Sequence, residues 1–304
     1  MKHWIDAARV RTLPLSISGI LVGSFYAMSQ SYFNWKIIGV ALLTTLGLQV
    51  LSNFANDYGD GVKGTDNQDR IGPKRAVQSG VISAKQMKKA VIITAILTFI
   101  SAVMLIYVSF KDQYLYYSLF FLLVCISAII AAIKYTVGEK AYGYYGYGDL
   151  LVFIFFGLVS TLGTYFLIAK TIDWELVLPA TAIGLLSVAV LNLNNMRDEA
   201  SDKKSGKNTI VVKIGGEKAR QYHYFLVFTA MLLTICFGLV KDFELDQYIF
   251  IAAFFPIASH LLRVKKIKEA KDLDPELKKL ALSTFLLSIL ISLSLIYFIS
   301  DLIV

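Results

Sequence analysis

Charge is scarce in this chain. Only 17% of its 304 residues are Asp, Glu, Lys or Arg, against 56% hydrophobic residues and a mean hydropathy of +0.61. One soluble core could hardly hide that much apolar surface, so a water-soluble domain is excluded and an all-α integral membrane protein is expected. Cysteine is scarcer still: Cys125 and Cys236 lie inside apolar runs with no His or Asp at ligand spacing, which argues against a zinc site or a disulfide framework. Both are expected to face lipid or to pack. A cleavable leader is also missing, because Lys2, His3, Asp6, Arg9 and Arg11 precede the first apolar run and no small-residue cleavage site follows it. The first helix is therefore expected to stay.

What the chain does have is long apolar runs. A hydrocarbon core about 30 Å thick takes roughly 20 residues of helix. On that ruler nine segments are predicted, near 13–30, 36–56, 90–110, 114–134, 149–170, 176–196, 222–240, 247–264 and 280–302. Only KDFELDQ separates the seventh from the eighth. Lys and Arg alternate strictly between the connections, and all but four of the 30 fall on one side. The positive-inside rule then places the N-terminus and the basic loops in the cytoplasm, the C-terminus outside, and the protein in a cell membrane as a multi-pass chain. The net charge of +8 becomes a property of the cytoplasmic face, set by topology and contact with anionic lipid. Nothing in it implies a nucleic-acid or obligate protein partner.

Two cytoplasmic loops carry the unusual polar residues, NFANDYGDGVKGTDNQDRIGPKRAVQSG after the second segment and NLNNMRDEASDKKSGKNTIVVKIGGEKAR after the sixth. They sit four segments apart, as a duplication would leave them. A single domain over 1–304 is expected, with pseudo-repeats 1–134 and 135–264 followed by a last loop and helix, 265–304. Residues three, four, seven and eight apart share a helix face, so Asn53, Asn56, Asp57 and Asp60 form one amide-carboxylate stripe and Asn194, Asp198 and Asp202 another. Both lie at helix C-termini, where the backbone dipole favours a cation. Two such stripes facing each other make a divalent-metal site, with Asn56, Asp57, Asp60, Asp66, Asp198 and Asp202 as candidate ligands and Asp60 and Asp198 as the catalytic pair.

Mg²⁺ takes oxygen ligands and is usually completed by phosphate oxygens, so the expected ligand is a diphosphate. Asn53, Lys63, Arg70, Arg75, Asn194, Asn195 and Lys207 are the residues expected to hold it; Lys74, Arg197, Lys203 and Lys204 add positive charge nearby. The competing reading is that Asp and Asn at helix ends only mark the water interface and cap neighbouring helices. Asp69 fits a solvated loop charge equally well.

Here NDYGDGVKGTDNQDRIGPKRAVQSG resembles the first aspartate-rich motif of the UbiA superfamily of membrane prenyltransferases, in the form typical of its 1,4-dihydroxy-2-naphthoate branch. ARVRTLPLSISGILVGS, YTVGEKAYGYYGYGDLLVFIFFG and NNMRDEASDKKSGKNTIVVKIG are similar to that branch too. Gly64 stands where the wider superfamily has its last carboxylate, and the next one is Asp66, a spacing that resembles the naphthoate branch more than the 4-hydroxybenzoate branch. Gly59 departs from bacterial relatives, which commonly carry an aromatic there. The resemblance implies nine helices in a UbiA-type bundle, a Mg²⁺-dependent transfer from a polyprenyl diphosphate to a dihydroxynaphthoate, loss of the naphthoate carboxyl group, and demethylmenaquinone as product. A 4-hydroxybenzoate- or homogentisate-class acceptor is the alternative.

For that acceptor Arg11 and Tyr135 are the candidate contacts, with Arg9 beside Arg11; both arginines serve equally as membrane-flanking anchors. Tyr142, Tyr144, Tyr145 and Tyr147 crowd the same loop as Tyr135, where interfacial anchoring competes with a cation-stabilising role. His3, His223 and His260 lie at predicted membrane edges without companions and are read as non-ligands. A transporter would place ionisable residues near the bilayer midplane, but here the helix interiors lack them. A phosphatidyl-transferring enzyme would need one Asp-Gly…Gly…Asp…Asp cluster, which is not found.

Overall fold

The computed structural model describes residues 2–66 and 71–303, the side chains of Arg11 and of residues 297–303 excepted. Every regular element among them is helical. In lipid a backbone must satisfy its own hydrogen bonds, and a helix does so within one segment. The chain runs through α1 (Lys2–Ala8) and α2 (Leu13–Ser29), bent by 53° at the turn Val10–Thr12, then α3 (Trp35–Lys63), α4 (Ala84–Phe110) and α5 (Leu115–Lys134). A tyrosine-rich turn, Tyr142–Tyr145, leads to one continuous span made of α6 (Gly148–Val152), the π-helical stretch Phe153–Gly163 and α7 (Thr164–Ala169). After it come α8 (Val177–Lys204), α9 (Ile210–Ile214), α10 (Gly216–Val240), α11 (Phe254–Lys266) and α12 (Asp274–Ile303). Among the described residues eight spans are each long and apolar enough to cross a bilayer, α11 being extended by the 3-10 stretch Leu245–Ala253 before it, and the bent pair α1 and α2 makes a ninth if counted as one span.

Helix ends follow local chemistry. Asn34 opens α3 by accepting from the Lys36 and Ile37 amides, and Gly64, at φ +73°, closes it in the left-handed region. Ser83 and Gln86 form a reciprocal capping box at the start of α4. Arg220 of α10 donates to the Val264 and Ile267 carbonyls (2.7 Å each), covering the exposed end of α11. α3 and α8 run on to Lys63 and Lys204, well past the ends near 56 and 196 that hydropathy predicts. Hydropathy reports contact with lipid, whereas the backbone ladder continues into the polar region. The acidic stripes therefore sit on rigid helix.

α8 occupies the centre, packed against α10, α12 and the π-helical stretch, while α3 pairs with α4 and α2 with α12. A Cβ on Gly157 would lie 2.7 Å from both the Ala180 carbonyl oxygen and the Gly184 Cα. The two helices thus touch backbone to backbone, the small-residue contact by which membrane helices gain packing. A smaller apolar cluster of Leu51, Phe54, Ala76, Ile82, Met87 and Val91 seats the segment after residue 70 on α3 and α4.

The structure corrects the histidine reading. His223 Nε2 lies 2.9 Å from His260 Nε2, and His260 Nδ1 2.8 Å from Glu276 Oε2, all three side chains being buried. The partners come from α10, α11 and α12, so no local pattern could pair them. Cys125, expected to face lipid or to pack, does pack against the apolar core and also lines the central cavity.

Replacing Gly157 by Ala should force these helices apart. The expected cost is about 1–3 kcal/mol, read as a lowered unfolding temperature in detergent. Gly39→Ala, inside α3 where nothing lies within 4 Å, should not lower that temperature.

Candidate active site

The central cavity has a volume of about 330 Å³ and two kinds of wall. One end is polar, with Asn53, Asn56, Arg75, Asn194, Lys207 and Tyr135; the rest is apolar, with residues such as Leu48, Phe121, Val124, Phe155 and Phe156. Both acidic helices end beside the polar part. Lys207 Nζ lies 3.7 Å from Asp60 Oδ2 on α3 and 3.8 Å from Asp202 Oδ1 on α8, so one ammonium spans the two stripes. Arg75 donates through Nη1 to Asp60 Oδ2 (2.9 Å) and to the Asn56 carbonyl (2.7 Å), and stands 3.2 Å from Asp66 Oδ2.

These cations are buried, and burial by itself would favour their neutral forms. The carboxylates outweigh it: Asp60 and then Asp66 hold the Arg75 guanidinium above its ordinary pKa, and Asp60 and Asp202 do the same for Lys207. Burial first and Asp60 second push the phenols of Tyr135 and Tyr144 upward, so both stay protonated.

Other predicted residues are placed more particularly. Asp57 accepts from the Ala76 and Val77 amides (3.1 and 3.0 Å), fastening the loop that carries Arg75. Asn53 donates to the Ala8 carbonyl (2.8 Å). The Asn56 amide oxygen receives the Thr136 hydroxyl (3.2 Å). Asn194 and Asp198 both accept from Arg197, which forms a fork onto Asp198 (Nε to Oδ1 2.9 Å, Nη2 to Oδ2 2.7 Å) and reaches Asp274 of α12 through Nη1. Lys63 lies over the Tyr144 ring, 4.0 Å from its centre. Arg70, Asp69 and the Arg11 side chain lie outside the described residues; Arg9 lines the cavity.

Gly59 has a clear physical reason. A Cβ there would stand 2.6 Å from Thr136 Oγ1 and 2.8 Å from the Thr136 carbonyl carbon, so α3 and the Tyr135–Thr136 turn meet at backbone distance. Thr136 also donates to the Ala55 carbonyl (3.0 Å). This contact brings Tyr135 to the cavity wall.

Among the described residues no three His, Cys, Asp or Glu side chains converge tightly enough to hold a metal ion unaided. Asn195 is buried but off the cavity lining, whereas Asn56 and Asn194, which line it, join the carboxylates in a donor set that is nonetheless all hard oxygen. Such a set fits Mg²⁺ whose coordination is completed by a ligand's own oxygens. Sequence reasoning weighed Tyr144 only as an interfacial or cation-stabilising aromatic and missed its hydroxyl's contact with Asp60, and it treated Arg197 only as spare charge; neither role leaves a periodic trace. Of the five tyrosines, Tyr145 and Tyr147 are exposed while Tyr135, Tyr142 and Tyr144 turn inward.

Comparison with known proteins agrees with this architecture. The UbiA prenyltransferase family matches residues 16–299. The chain is 42% identical over 302 residues to the 1,4-dihydroxy-2-naphthoate octaprenyltransferase of Haemophilus influenzae, covering 97% of this chain and 96% of that one. Against the Escherichia coli protein of the same description the identity is 43% over 272 residues, covering 90% and 86%. Among solved structures, a UbiA homolog from Archaeoglobus fulgidus bound to GPP and Mg²⁺ superposes with a TM-score of 0.69 at 15% identity, covering 98% of this chain and 99% of that chain. A multi-spanning helical bundle with two facing acidic helix ends, matched in this way along nearly its whole length, is a polyprenyltransferase of the UbiA family.

Proposed function

We propose that this enzyme transfers a polyprenyl group from its diphosphate to 1,4-dihydroxy-2-naphthoate, with loss of the carboxyl group, to give demethylmenaquinone in its reduced, quinol form for menaquinone synthesis. The observation that carries the reading is Lys207 standing within 4 Å of a carboxylate from each acidic helix, which puts both helix ends within reach of one shared ligand. The acceptor is inferred from the likeness to the two naphthoate octaprenyltransferases and from the Asp60 to Asp66 spacing.

Asn56, Asp60, Asp198 and Asp202 would hold Mg²⁺, with Asp66 in support; Asp57, engaged by two amides, contributes chiefly by fixing the loop. Bound there, Mg²⁺ would supply Lewis-acid neutralisation of the charge that develops on the leaving diphosphate. Arg75 and Lys207 would meet the remaining phosphate oxygens with charge-assisted hydrogen bonds. The allylic C–O bond breaks with its electron pair going to diphosphate, the electron-rich ring carbon attacks, and the carboxyl group leaves as CO₂ while its bonding pair restores the ring. Tyr135 and Arg9 line the place where the acceptor would sit. Along α3 the lining runs from Asn56 to Ala41, roughly 22 Å at 1.5 Å per residue, which is room for part of a long tail. The remainder would continue into lipid, where each CH₂ is favoured by about 0.8 kcal/mol.

The same reading counts the bent pair as a span, making nine. It puts the polar end and the N-terminus in the cytoplasm, and takes 1–304 as one domain with pseudo-repeats 1–134 and 135–264.

The test is purified protein in detergent with Mg²⁺, a polyprenyl diphosphate and either dihydroxynaphthoate or 4-hydroxybenzoate. Prenylated naphthoate with release of CO₂, abolished by EDTA, is expected; prenylation of the benzoate alone would overturn the acceptor. Asp60→Asn and Asp198→Asn should each lower turnover by about 100-fold or more, on the scale of losing one transition-state stabiliser; because each also leaves a buried Arg75 or Arg197 short of a charge partner, the unfolding temperature should fall as well. Gly59→Ala should raise the KM for the acceptor more than that for the diphosphate, because it displaces the wall bearing Tyr135; an effect on the diphosphate alone would contradict this.

A further inference from the structure

We propose that Tyr144 is the positioning residue of this site: its phenol orients Asp60 while its main chain ties down the loop that follows α8, so that the two acidic motifs are coupled through one residue. The inference rests on the diphosphate reading above. Tyr144 Oη donates to Asp60 Oδ1 at 2.8 Å, and Thr65 Oγ1 lies 2.5 Å from the same phenol oxygen. A phenol has one proton. With that proton on the carboxylate, the Thr65 hydroxyl must donate to the phenol oxygen, and a phenol that accepts becomes a stronger donor. Asp60 thereby presents its other oxygen, Oδ2, to Arg75 and Lys207, the direction in which the diphosphate space lies.

The second half of the coupling is main chain. Asn208 N donates to the Tyr144 carbonyl (3.0 Å) and Lys213 Nζ to the Tyr145 carbonyl (2.7 Å), so the loop between α8 and α9 and α9 itself both hang on this turn. Thr65 N and Asp66 N return to the Asp60 carbonyl (3.0 and 3.3 Å), which fixes the first loop to the same point. The ring joins in as well. Lys63 Nζ stands 4.0 Å and Lys207 Nζ 5.6 Å from its centre, so two ammonium groups drawn from opposite motifs share one aromatic. Tyr144 is thus the residue through which the first motif, the second motif and Lys207 meet.

The experiment compares the parent protein with Tyr144→Phe and Thr65→Val. Binding of farnesyl S-thiolodiphosphate, which does not turn over, is measured as MgCl₂ is titrated, alongside kcat and both KM values. Tyr144→Phe keeps the ring and its cation contacts but deletes the bond to Asp60. It should raise the Mg²⁺ concentration for half-maximal analogue binding by about tenfold and lower kcat by at least that factor, leaving the acceptor KM within about twofold. Thr65→Val removes the hydroxyl bridge but leaves the phenol on Asp60, and should shift the Mg²⁺ midpoint less than about threefold. A Tyr144→Phe titration that superimposes on the parent, or a Thr65→Val shift as large as that of Tyr144→Phe, overturns the proposal. A parent protein that binds no analogue at any Mg²⁺ concentration overturns the diphosphate reading and this one with it.

Discussion

Everything at the polar end of this bundle depends on buried carboxylates finding buried cations. Asp57, Asp60, Asp66, Asp198 and Asp202 are all nearly inaccessible, and so are Arg75, Arg197 and Lys207. An uncompensated charge in such a place costs several kcal/mol, and removing one partner of a buried pair typically costs about 3–5 kcal/mol. The protein's own guanidinium and ammonium groups therefore sit directly against these carboxylate oxygens. Their attraction folds the loop bearing Arg75 back onto α3 and draws the loop bearing Lys207 between the two helices.

The rest of the fold serves to bring two helix ends together. α8 lies at the centre, and the backbone contact at Gly157 and Gly184 seats the π-helical stretch against it, so that Phe155 and Phe156 reach the cavity. Gly59 does the same for α3 and the Tyr135 turn. Close approach at these points gives a space with a charged mouth and a greasy interior, which is the shape of an amphiphile with a diphosphate head and a hydrocarbon tail.

Much of this was legible in the sequence. Runs of apolar residues locate the spans, and the spacing of Asn53, Asn56, Asp57 and Asp60, with that of Asn194, Asp198 and Asp202, locates the stripes, because helical periodicity is a local property. Orientation around the stripe was less legible: Asp57 shares the face of Asp60 by spacing yet turns to the Ala76 and Val77 amides, a partner supplied by a loop that doubles back. Tyr144 and Thr65 meet across 79 positions, and His223 and His260 across 37. Contacts of that kind arise from how the bundle closes. The tyrosine-rich loop looked like an interfacial belt because aromatics near a membrane surface usually are one, and Tyr145 and Tyr147 have the exposure that role requires.

The central claim is that α3 and α8 grip a single diphosphate between them. A cryo-electron microscopy map of the protein with Mg²⁺ and a polyprenyl thiolodiphosphate tests it most directly. The account predicts density for one diphosphate bridging Asp60 and Asp202, with Lys207 and Arg75 swung onto its oxygens. Density confined to one of the two helix ends, with the other still paired to its resting cations, would contradict it.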